Sequence, residues 1–136
     1  MDTEEVVVPY IETLTGADVE FGKRLWDVLR ENKDFPTAGM FWLFEPGASQ
    51  WHLMIASPIV DELGPRDSYR ALSEVSRQVP ADSAQLLKLE LISPRHPLYE
   101  ALRAVFAKTK SVEGSRLGGS QVQGMYVEDA YLYGVR

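Results

Sequence analysis

A chain of 136 residues that is 45% hydrophobic and 25% charged has room for one domain with a hydrophobic core of its own. It contains no cysteine, which excludes a disulfide framework, a thiolate-held zinc or iron–sulfur site and a cysteine nucleophile. The net charge of −6 sits in residues 1 to 20, where Asp2, Glu4, Glu5, Glu12, Asp18 and Glu20 meet no Lys or Arg; the rest is balanced, so the basic footprint that duplex nucleic acid requires is missing.

The acidic start is the opposite of a basic signal or transit peptide, and no apolar run reaches the length of a membrane span. A soluble cytoplasmic protein is the expectation. Residues 1 to 13 read as an acidic, loosely held segment, in which Val6-Val7-Val8 suits an optional edge strand stopped by Pro9. Thr15-Gly16-Ala17-Asp18 is a capping box that opens the first helix. Phe21, Leu25, Val28 and Leu29 form its apolar stripe, with Lys23, Arg24, Asp27, Arg30 and Glu31 opposite. Trp26 falls at the margin of the stripe, half buried.

Met40-Phe41-Trp42-Leu43-Phe44 and Trp51-His52-Leu53-Met54-Ile55-Ala56 flank a turn segment and read as a β-hairpin. Pro46-Gly47 suits the centre of a type II turn. Strands apolar at nearly every position need cover on both faces. Ser57 to Gly64 reads as a loop, and Gly64-Pro65 opens a second helix with proline at its first position. Tyr69, Leu72, Val75 and Val79 are its buried stripe. Leu86 to Ile92 reads as a strand with Leu87, Leu89 and Leu91 on one face and Lys88 and Glu90 on the other. Pro97 opens a third helix, with Leu98, Ala101, Leu102, Val105 and Phe106 inward. Thr109 to Ser120 reads as a polar connection. Val122 to Val127 and Ala130 to Val135 read as two last strands around Glu128-Asp129 or, since that pair lacks the Gly or Asn of a two-residue turn, as one bulged strand. The order α-β-β-α-β-α-β-β over 1–136 defines a single α+β domain, with an antiparallel or mixed sheet of about five strands and three amphipathic helices.

The chemistry-bearing residues are sparse. His52 and His96 are the two histidines, and neither belongs to a His-Glu-x-x-His or paired-histidine spacing, so no metal or other cofactor is expected. There is no Gly-x-Ser-x-Gly elbow. The glycines and cations of 108–120 lack the spacing of a phosphate-binding loop. Asp61 and Glu62, between a buried strand and a helix, are candidate acid/base groups or hard-cation ligands, or simply carboxylates favoured by a helix dipole. With Lys88 and Glu90 they supply the residue types of a metal-dependent nuclease, though Lys and Glu stand in reverse order. Arg66, Arg70 and Arg77 share one side of the second helix, a ridge for an anion or an acidic segment. Tyr126, Tyr131 and Tyr133 are expected to pack across strands with wet hydroxyls, as an alternative to stacking bases.

Trp42 and Trp51 lie in the hairpin that needs cover, as parts of an interface or a ligand pocket. Three helices cover one face easily and two with difficulty. Either one helix crosses the sheet, or a second chain supplies the cover. The reading that follows is a non-enzymatic interaction module that pairs with itself or another protein. Its alternative is an enzyme acting on a phosphate-bearing substrate through Asp61, Glu62, Lys88 and Glu90, with Arg66 as anion clamp.

Overall fold

The computed structural model describes residues 13–106, 109 and 112–136. All of the acidic segment except Thr13, including the strand expected at 6–8, lies outside the described residues. In chain order the elements are α1 (Gly16–Glu31), β1 (Gly39–Glu45), β2 (Gln50–Ala56), α2 (Ile59–Ser76), α3 (Ser83–Leu87), β3 (Leu89–Ile92), α4 (Pro97–Phe106), β4 (Ser115–Val122) and β5 (Met125–Val135). The strands form one mixed sheet in the order β3-β2-β1-β5-β4, in which the β2–β3 pair is parallel and the others antiparallel. This is the α+β architecture that the pattern implies, with one extra short helix. No described helix is long and apolar enough to cross a membrane.

Both faces of the hairpin meet helices of this chain, the second face over its Phe41, Met54 and Ala56 end. On one face Met40, Trp42, Phe44, Leu53, Ile55 and Leu91 meet Phe21, Leu25, Trp26 and Leu29 of α1 and Leu72 and Val75 of α2. On the other, Phe41, Met54, Ala56 and Ile92 meet Leu98, Tyr99, Ala101 and Leu102 of α4. α4 is therefore the helix that crosses the sheet and covers the apolar end of the second face.

Local chemistry sets the boundaries. The Thr15 side chain accepts from the Asp18 amide at 3.1 Å while Asp18 accepts from Thr15 at 3.2 Å, the capping box that starts α1. The segment 59–63 is helical rather than a loop, and α2 breaks at Gly64 (φ 78°, ψ 170°), a conformation that essentially only glycine adopts; Pro65 then restarts the helix. Ser68 Oγ lies within hydrogen-bond distance of the carbonyl oxygens of Ile59 and Gly64 across that break, with one proton to share between them.

The strand boundaries and turns differ from expectation in four places. Leu86 and Leu87 belong to α3, because Asp82 and Gln85 form a second capping box, so the strand begins only at Leu89. Residues 115–120 are strand, not connection, and Glu128-Asp129 lies inside β5. The β4–β5 hairpin turns instead at Gln123 (φ 49°) and Gly124 (φ 82°), the two positive values of a type I′ turn. The β1–β2 turn is a four-residue loop in which Ser49 (φ 52°) takes the left-handed conformation and Gly47 does not, so it is not type II.

Trp26 is buried rather than half buried, because Gly134 lies under its ring: a Cβ there would stand 2.3 Å from Trp26 Cζ2. Opposite Met40 and Phe41 the β5 register shifts by one residue, so Tyr133 is the extra residue of a bulge. The Tyr133 hydroxyl is buried too, against the expectation of a wet one. It donates to the Val19 carbonyl at 2.7 Å and accepts from Trp42 Nε1 at 3.0 Å, linking strand, hairpin and α1. Burial pushes the Tyr133 hydroxyl pKa well up, with the Trp42 bond opposing.

Candidate functional site

The residues singled out in the sequence occupy separate places. Trp42 is fully buried and bonded to Tyr133. Trp51 is buried beneath Arg116, whose guanidinium lies 5.5 Å from its ring centroid. Arg116 is held in turn by Asp129 through bonds of 2.9 and 2.8 Å, and this partnership raises its already high pKa. An open hollow of about 410 Å³ lies here, bordered by Thr13, Phe44, Trp51 and Arg116. Its cation is already matched by a carboxylate.

Asp61 and Glu62 lie in the first turn of α2, both exposed. Asp61 Oδ2 accepts from Ser93 Oγ at 2.7 Å, just past the end of β3. Glu90 lies three residues earlier, about 10 Å back along an extended chain, and its carboxylate meets His52. Lys88 caps the C-terminus of α3 and its carbonyl accepts from the Leu53 amide, so it shares no strand face with Glu90. Arg66, Arg70 and Arg77 are exposed along α2 and just after it, and Arg70 stands 3.9 Å from Asp67. His96 Nδ1 accepts from the Leu98 amide at 3.1 Å, which commits it to the start of α4.

Two arrangements were not foreseen. The first is apolar. Tyr69 was expected inward, yet it is 42% exposed; its hydroxyl accepts from the Leu91 amide at 3.0 Å, covering the edge strand. Leu86 is 41% exposed and Leu87 84%, because α3 carries them off the sheet. Between Tyr69, Leu72, Leu86 and Leu89 lies a hollow of about 140 Å³. Val105 of α4 is likewise exposed rather than inward.

The second arrangement is polar and lies on the α4 side of the sheet. Along β1 that face runs Phe41, Leu43, Glu45, and along β2 Ala56, Met54, His52. On β3 it runs Ile92, Glu90. On each strand burial gives way to partial exposure in the same direction, because α4 covers only the end near Phe41, Met54 and Ile92. His52 lies opposite Leu43, which places Glu45 on its diagonal; Glu90 lies opposite Met54, which places it on the other diagonal. His52 Nδ1 stands 3.0 Å from Glu90 Oε2 and 3.8 Å from Glu45 Oε1. The three ligand-type atoms lie within 4.8 Å of one another. The chain matches no family model, no curated protein and no solved structure.

Proposed function

We propose that the domain is a non-enzymatic interaction module that pairs with a second copy of itself through α2 and α3. The observation that carries the reading is Leu87, 84% exposed and next in the chain to Leu86, which lines the hollow with Tyr69, Leu72 and Leu89. A knob and a hole on one surface satisfy the demand of a two-fold interface, in which each copy offers the other the same patch. The hollow is of the order of the space left by one large apolar side chain. Exposed large apolar side chains gathered in a patch mark contact surfaces more often than scattered ones do.

Light scattering coupled to size exclusion tests it. Wild type is expected at twice the chain mass and Leu87→Asp at the chain mass, with thermal unfolding of the variant's monomer within about 0.5 kcal/mol of a wild-type monomer because the site is exposed. A wild type that stays at the chain mass across a concentration series contradicts the reading. The alternative, metal-dependent chemistry on a phosphate substrate, is favoured by one observation alone: Glu90 converges with His52 and Glu45.

A further inference from the structure

We infer that Glu45, His52 and Glu90 form a binding site for a divalent cation of the zinc class, taken by His52 Nδ1 and one oxygen of each carboxylate. Three features of the cluster carry this. First, the imidazole Nδ1 faces two carboxylates, at 3.0 and 3.8 Å, and a ring nitrogen has at most one proton to give. An ordinary His–Glu hydrogen bond accounts for Glu90, while Glu45, brought near by its diagonal place, stands at 3.8 Å, too far to share that proton. A cation answers both carboxylates at once.

Second, the spacing fits. Metal–ligand bonds of about 2.0–2.2 Å at tetrahedral angles hold ligand atoms roughly 3.4 Å apart, between the two distances seen. The widest separation in the cluster, within 4.8 Å, closes by side-chain rotation of half-buried glutamates. Third, the three residues come from three neighbouring strands, one each from β1, β2 and β3. Strands fix Cα positions better than a loop does, so little order remains to be imposed on binding.

The donor set selects the ion. One imidazole nitrogen with two carboxylate oxygens suits zinc and its first-row neighbours, while calcium and magnesium prefer oxygen alone. Three protein ligands at a partly exposed site leave a position for water or an anion, the pattern of an open rather than a closed zinc site. The Glu45–His52–Glu90 site stands apart from the α2–α3 surface and does not depend on self-pairing.

The test is competition for zinc between a chromophoric chelator and the full-length, tag-free chain. One equivalent per chain is expected, with magnesium failing to compete. His52→Gln and Glu90→Gln are each expected to weaken zinc binding at least about tenfold, while Asp61→Asn leaves it unchanged. A wild type that takes no zinc from the chelator overturns the proposal. So do His52→Gln and Glu90→Gln chains that bind as wild type does. Should a variant fail to fold, the wild-type histidine ring resonances decide. Zinc is expected to shift one of the two histidines, and the shift should persist in His96→Gln. A shift of neither ring, or one that vanishes with His96, refutes the site.

Discussion

Toward α1 and α2 the sheet presents Met40, Trp42, Phe44, Leu53, Ile55 and Leu91, all buried. Toward α4 the same strands begin with Phe41, Met54 and Ile92, equally buried, and finish with Glu45, His52 and Glu90 half exposed. The difference comes from the length of cover. α1 spans 16 residues and α2 adds a helical stretch on either side of Gly64, whereas the described part of α4 has 10 and packs on the Phe41, Met54 and Ile92 end of its face. One sheet thus becomes a core where a described helix lies over it and a polar platform where, among the described residues, none does. The two halves should respond to substitution in opposite ways: the first in stability, the second in ligand binding.

The largest expected effect is on the closed face. Trp42→Ala removes a fully buried indole and the donor to Tyr133, and should lower unfolding free energy by about 3–5 kcal/mol in a denaturant titration. A loss under about 1 kcal/mol would mean that this face is not the core. Gly134→Ala comes next, since its Cβ would stand 2.3 Å from Trp26; a cost of about 1–3 kcal/mol is expected. An unchanged midpoint would remove the close approach from the account.

Tyr133→Phe keeps the ring and deletes both hydroxyl bonds, which should cost about 1–3 kcal/mol because Trp42 Nε1 loses its acceptor in a buried place. It also carries a pH signature. Burial holds the Tyr133 hydroxyl's pKa above its ordinary 10.0, so the unfolded chain releases that proton first. The hydroxyl's contribution is complete below about pH 10 and is lost as pH rises past it. Thermal melts from neutral to alkaline pH should therefore fall less steeply for Tyr133→Phe than for wild type, and equal slopes would count against the buried hydroxyl.

The smallest stability effects belong to the open face. In metal-free buffer Glu90→Gln and His52→Gln should each change unfolding free energy by less than about 1 kcal/mol, as expected of half-exposed pairs. A larger loss would make the cluster a structural ion pair.

Much of the frame was legible. The Thr15–Asp18 capping box, the Gly64-Pro65 restart and Pro97 each act within a few residues, and each lies where the pattern placed it. Two further signals of the same kind stand in the sequence. Asp82 with Gln85 is a capping box as plain as the first, and it moves Leu87 off the strand. Gln123-Gly124 carries the glycine that a type I′ turn needs in its second place, whereas Glu128-Asp129 has none. The helix that covers the second face could be counted but not placed, because an amphipathic stripe does not say which face it meets.

The Glu45–His52–Glu90 cluster was out of reach for another reason. Alternation along the hairpin puts Glu45 and His52 on one face once the turn length is known. Glu90 joins them only through the parallel β2–β3 pairing, 38 residues from His52, which no local pattern specifies. Spacing rules find ligands that share a helix or a turn; a site with one residue on each of three strands leaves no such trace.

The most direct measurement is diffraction from crystals of the intact chain grown with zinc, recorded at the zinc absorption edge. An anomalous peak bonded to His52 Nδ1, Glu45 and Glu90 at about 2.0–2.2 Å is predicted. Zinc found only elsewhere, or no peak between the three side chains, would contradict the reading of the open face as a metal site.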